Sequence, residues 1–132
     1  IYRGPLPERA AGFKLLGNLF LVCMTTGLAE VLALAKALGI PAADAATLFE
    51  SFNPGQTLGA RLKRMLEGDF ANPSWELSMA RKDTRLMLEE AARGDVQLAV
   101  VPAIAELMDR FIARGHGSDD WMVIAKDSLD PR

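Results

Sequence analysis

The sequence predicts an all-α, multi-helix domain organised around one long buried helix, and three observations carry that prediction. Proline and glycine fall where helices begin and end. Pro7 is followed by no proline until Pro41, and Gly39-Ile40-Pro41 closes the stretch between them. Inside that stretch the apolar residues surround the axis instead of forming one stripe, the pattern of a helix covered on all sides. The one run rich in strand formers, Val96 to Val101, stands alone, and a single strand cannot make a sheet.

The first helix runs from about Glu8 to Leu38. Pro7 suits its first turn, and Gly39 takes the left-handed position that ends it. At 1.5 Å per residue it spans about 45 Å, against a radius of gyration of about 14 Å for a domain of this size. Its sides carry Phe13, Leu16, Leu19, Phe20, Met24 and Leu32 in turn, so another domain or a second subunit is expected to cover what this domain leaves open. A second helix reads from Pro41 to about Phe52, before the turn Asn53-Pro54-Gly55. Gln56 to Leu66 forms the third, stopped by Gly68, and Asp69 to Pro73 reads as a loop. Glu76 to Arg93 is a fourth helix ending at Gly94, and Pro102 to Arg114 a fifth ending at Gly115. Ser118 is read as the N-cap of a last helix, with Asp119 and Asp120 in its first turn.

Composition removes several function classes. Fifteen basic against seventeen acidic residues give a net charge of −2, which supplies no electrostatic footprint for nucleic acid. One cysteine, Cys23, excludes an internal disulfide and cysteine-based zinc fingers, and one histidine, His116, excludes multi-histidine metal sites. No metal site is expected. The longest uncharged run, Leu15 to Ala29, falls short of the roughly 18 apolar residues of a membrane span. The chain opens on Ile1-Tyr2-Arg3-Gly4-Pro5 without the zones of a signal peptide, so a processed or excised piece of a cytoplasmic protein is expected.

No glycine-rich dinucleotide turn, P-loop, nucleophile elbow or paired-carboxylate signature is present. The conspicuous polar residues are Lys14 and Asn18, four apart and so on one face of the apolar first helix, with Thr25 two turns further along it. On spacing alone they read either as a polar notch in a buried surface, or as a snorkelling lysine and an asparagine bonded to a neighbouring helix. Lys82 lies in a charged stretch with Arg81, Asp83 and Arg85 that reads as a solvated face. His116 reads as an exposed turn residue, and Cys23 and the methionines as packing.

In order and spacing these segments resemble one family. They are Lys14-x-x-x-Asn18 at the start of a long helix, Leu66-Glu67-Gly68-Asp69-Phe70, Trp75 seven residues before Lys82-Asp83, and Gly117-x-Asp119-Asp120-Trp121. The resemblance is to the C-terminal helical domain of the β-hydroxyacid dehydrogenases, the 3-hydroxyisobutyrate dehydrogenase group related to 6-phosphogluconate dehydrogenase, over about Arg9 to Leu129. It implies that residues 1–132 form one C-terminal catalytic and dimerisation domain, whose partner Rossmann domain holds NAD or NADP and is absent from this chain. It also implies hydride transfer between that cofactor and a small 3-hydroxyacid or semialdehyde, in a homodimer or higher oligomer.

By that resemblance Lys14 is the catalytic lysine, Asn18 binds substrate, and Lys82 and Trp75 reach the cofactor near its nicotinamide. Glu8 and Ala10 replace two glycines of the family pattern, and Gly17-Asn18 replaces its Asn-Asn pair; these departures bear on the substrate more than on the family. The isolated chain is expected to be inactive. Two other readings stay open: an imine-reductase-like member of the superfamily, whose proteins usually lack the lysine, and a non-enzymatic helical dimerisation module.

Overall fold

The computed structural model describes residues 6–129; the opening segment read above, residues 1–5, lies outside them. Helix α1 spans Leu6–Ala37, 32 residues and about 48 Å. It ends as the Gly39-Ile40-Pro41 punctuation requires. The Gly39 amide donates to the Lys36 carbonyl and the Ile40 amide to the Ala35 carbonyl, with Gly39 at φ 72°.

The expectation of a helix buried on all sides is corrected within this chain. Among the described side chains of α1 only Ala35 is buried, while Phe13, Leu15 and Leu19 are 59%, 70% and 64% exposed. The reason is length: the helices that follow are short, and those that meet α1, chiefly Ala42–Ala46 and Leu77–Arg93, pack against its C-terminal end and leave the rest uncovered. Glu8–Ala37 is, by length and composition, one helix apolar enough to cross a membrane, with a mean hydropathy of 1.7 over an 18-residue window. Counting only uncharged residues missed that window. Its C-terminal part is nevertheless committed to protein contacts. Gly94 approaches so closely that a Cβ there would lie 2.5 Å from the Ala37 backbone. The uncharged run 15–29 measures about 22 Å, short of the roughly 30 Å hydrocarbon core.

The remaining helices are α2 (Ala42–Ala46), α3 (Leu48–Ser51), α4 (Leu58–Glu67), α5 (Leu77–Arg93) and α6 (Val101–Phe111). The single helix expected over Pro41 to Phe52 is broken at Thr47, whose hydroxyl donates to the Asp44 carbonyl at 2.6 Å. A 3₁₀ turn, Pro54–Thr57, leads into α4. Among the described residues there is no strand; Val101 already belongs to α6, and the segment before it is held by a side chain from α1. The Glu30 carboxylate accepts the amides of Ala99, Val100 and Val101 at 2.7, 3.0 and 3.2 Å, capping the N-terminus of α6 from a distant helix. Burial alone raises the Glu30 pKa, but these three amides outweigh it and hold the group below the usual carboxylate value.

The last helix corrects the expected cap. It is a 3₁₀ helix, Trp121–Ser128, and Asp120 rather than Ser118 is its N-cap, with Oδ1 accepting the Met122 amide at 2.9 Å. Asp120 is also fully buried. Its Oδ2 accepts the Ser74 amide at 2.9 Å and hydroxyl at 3.1 Å, and lies 3.1 Å from the Arg64 guanidinium. Backbone bonds extend the seam: Leu77 to Asp119, Ser78 to Gly117, Asp120 to Phe70 and Trp121 to Trp75. Around it lies the core, with Phe70, Leu77, Ala80, Met108, Phe111, Met122 and Val123.

Two outcomes follow from these carboxylates. Burial by itself raises the Asp120 pKa, but its amide and hydroxyl donors and Arg64 outweigh that and lower it. A carboxyl with a depressed folded-state pKa contributes stability above its unfolded value of about 3.9, lost as pH falls through the folded one. Asp120→Ala, which strands Arg64 and Ser74, is expected to cost about 3 kcal/mol in urea denaturation at pH 7, with the deficit shrinking below about pH 4. Glu30→Ala is expected to cost about 1 kcal/mol and to remove hydrogen-exchange protection from the amides of Ala99, Val100 and Val101; unchanged protection would refute the cap.

Candidate active site

The helical spacing of α1 puts Lys14 and Asn18 about 40° apart around the axis. Both side chains are exposed, and neither takes a hydrogen bond or ion pair from a described residue. Phe13 and Leu15, also exposed, flank the lysine, and the Arg9 guanidinium lies 5.7 Å from the Phe13 ring centroid. The pair is an isolated polar patch on an apolar rod. Thr26, one residue beyond Thr25, turns its hydroxyl back to the Val22 carbonyl at 2.8 Å.

Trp75 stands elsewhere. It precedes α5, is 38% exposed, and meets Trp121 edge-on with ring centroids 5.2 Å apart. Both indoles line a cleft of about 770 Å³ closed on its other sides by Phe20 and Met24 of α1, Phe52, and Leu58 and Arg61 of α4. Phe20 and Met24 face about 100° away from Lys14 around the helix, so Lys14 and Asn18 are not brought into this cleft by the described residues. Lys82 is exposed on α5. Its neighbours on the stretch are paired, Arg81 with Asp109 at 2.8 Å and Arg85 with Glu89 at 2.8 Å, while Lys82 has no partner among the described residues. The four residues are thus not brought together: Lys14 and Asn18 share a side of α1, Trp75 lines the cleft, and Lys82 on α5 is not among the residues that line it.

His116 departs from its exposed reading. Its ring is half-buried beside Phe111, with Nδ1 2.7 Å from Asp119 Oδ2. Cys23 is exposed rather than packed. Met24 and Met79 are exposed whereas Met108 and Met122 lie in the core, so the methionines divide. Sequence reasoning did not single out Arg61, although Trp121 stood in the motif that ends the chain. Arg61 holds its guanidinium 5.3 Å from the Trp121 ring centroid.

A dinucleotide needs a phosphate cradle and a wall for its nicotinamide ring. The described residues contain no strand and no strand–glycine–helix turn, so they offer no such cradle. They do leave the Trp75 indole part-exposed and the Lys82 ammonium without a partner among the described residues.

Comparison with known proteins locates the chain. The 2-(hydroxymethyl)glutarate dehydrogenase of Eubacterium barkeri is 27% identical over 115 residues, 86% of this chain and 38% of that protein. The chain therefore spans less than two-fifths of that relative's length. In fold it is similar to an imine reductase from Myxococcus stipitatus in complex with NADP+, with a TM-score of 0.68 and 19% identity over 90% of this chain and 43% of that one. It is similar also to a reductive aminase from Aspergillus terreus, with a TM-score of 0.73 and 18% identity over 88% of this chain and 41% of that one. Residues 9–127, nearly all of the helical domain described above, match the family model described as NAD-binding of NADP-dependent 3-hydroxyisobutyrate dehydrogenase, and the chain belongs to that family.

Proposed function

We propose that this chain is the C-terminal helical domain of an NAD(P)-dependent 3-hydroxyacid dehydrogenase, with Lys14 as its catalytic residue. The observation that carries the reading is the Lys14–Asn18 pair: a cation and an amide one turn apart, exposed and without a partner among the described residues, on a stretch of helix from Phe13 to Met24 whose other exposed side chains are apolar. Such a patch acquires a role when a second unit covers it. Family membership and the hydroxyacid named in the curated relative support the substrate class, a small 3-hydroxyacid or the corresponding semialdehyde.

The chemistry follows from the residues. When bound, the nicotinamide cofactor supplies or accepts the hydride. Reduction of a carbonyl places negative charge on its oxygen, and the Lys14 ammonium stabilises that charge and donates the proton. In the oxidative direction the Lys14 amine accepts the hydroxyl proton. Covering Lys14 with a second domain, beside Phe13 and Leu15, excludes water from the reacting atoms. Asn18 hydrogen-bonds a substrate oxygen and fixes its orientation. Trp75 and Lys82 would hold the nicotinamide end of the cofactor, whose phosphates bind on a Rossmann domain outside this chain.

The exposed apolar length of α1 is proposed as the surface on which two copies associate. In the full-length protein, sedimentation at micromolar concentration is expected to find a dimer or higher oligomer; a monomer would overturn this.

The deciding experiment follows nicotinamide absorbance in the full-length protein with a panel of small 3-hydroxyacids and semialdehydes. Lys14→Ala is expected to lower kcat by at least about 100-fold while cofactor affinity stays unchanged. Near-normal turnover in the variant would remove Lys14 from the mechanism. Turnover of cyclic imines in place of the hydroxyacids would assign the protein to imine reduction instead.

A further inference from the structure

We infer that the cleft between α1, α4 and the two tryptophans binds a small apolar monocarboxylate, its carboxylate on Arg61 and its apolar body between Phe20, Phe52 and Leu58. The cleft, about 770 Å³, lies within the usual size of a small-molecule site, roughly 300–1,000 Å³. Among the described residues Arg61 is the one charged residue on its walls, and no acidic residue lines it. The Ser74 hydroxyl, the other polar side chain there, is already committed to Asp120.

Arg61 differs from the arginines around it. Arg64, Arg81, Arg85, Arg93, Arg110 and Arg114 each pair with a carboxylate, whereas Arg61 has no carboxylate partner among the described residues. It is half-buried, and its guanidinium is held over the Trp121 ring by a cation–π contact. That contact lowers the entropy cost of ordering the side chain while leaving its in-plane N–H groups unspent. A carboxylate matches those donors in pairs, and it neutralises a cation that is otherwise set in an apolar cleft. One cation balances one negative charge, which favours a carboxylate over a phosphate dianion. The walls supply apolar and aromatic contact and few other polar groups, so the rest of the ligand is apolar.

The inference does not depend on the dehydrogenase reading, because binding is measured without turnover. The probe is 3-phenylpropanoate and the control its neutral amide, 3-phenylpropanamide, titrated into the full-length protein by calorimetry and by tryptophan emission. Trp75 and Trp121, the two tryptophans of this chain, both line the cleft, so emission quenched in the wild type and quenched less in each of Trp75→Phe and Trp121→Phe locates the ligand.

The acid is expected to bind at least about tenfold more tightly than the amide, and Arg61→Gln to erase that difference while leaving amide binding unchanged. Should Arg61→Gln fail to fold by circular dichroism, the acid-to-amide ratio in the wild type decides by itself. Equal affinity for acid and amide, unchanged acid binding in Arg61→Gln, or no saturable binding of either probe would overturn the inference. Acid binding without hydroxyacid turnover leaves the inference standing and removes the dehydrogenase reading. Turnover without any charge preference does the reverse.

Discussion

The Asp120 carboxylate is the interaction on which the rest of this domain depends. It is fully buried, yet both its oxygens have partners: Met122 donates to Oδ1, and Ser74 donates twice to Oδ2 beside the charge of Arg64. Those partners come from α4, from the loop before α5 and from the last helix, so one side chain locks three segments distant in sequence. A buried charge is tolerated on such terms, and removing one partner leaves the others stranded. The seam also sets the cleft. Trp75 follows Ser74 and Trp121 follows Asp120, so the two indoles meet at 5.2 Å because the carboxylate between their neighbours holds both strips of backbone.

The second constraint is the mismatch between α1 and everything else. A rod of about 48 Å cannot be covered by helices of 4 to 17 residues, and only its C-terminal end is docked, through the Gly94 approach and the Glu30 cap of α6. The apolar surface left over, and the Lys14–Asn18 patch within it, are incomplete until another unit lies against them. Structure and proposed chemistry meet here, since covering the patch excludes water from the atoms that would react there.

Two kinds of site residue differ in how legible they are. Lys14 and Asn18 are visible in the sequence because a helical interval of four places them on one face whatever the fold does. Trp75 and Lys82 stand out only through the family resemblance; spacing made Lys82 one charge on a solvated face. The cleft was invisible, because Phe20, Phe52, Arg61, Trp75 and Trp121 have no common period and belong to different elements. Nothing in the sequence separates Arg61 from the arginines that pair with carboxylates, because pairing depends on three dimensions.

The sequence by itself determined the helical class, the stop at Gly39 and most helix boundaries, because glycine, proline and apolar spacing act through local sterics and hydrogen bonds. Tertiary structure decided the rest. It made Asp120 rather than Ser118 the last cap, since a buried aspartate was needed by Arg64 and Ser74. It turned the strand-like residues before α6 into a segment held by Glu30, because their amides met a carboxylate from α1 and no neighbouring strand. It also determined that α1 is packed at one end and open along the other, an outcome of how little chain is available to cover it.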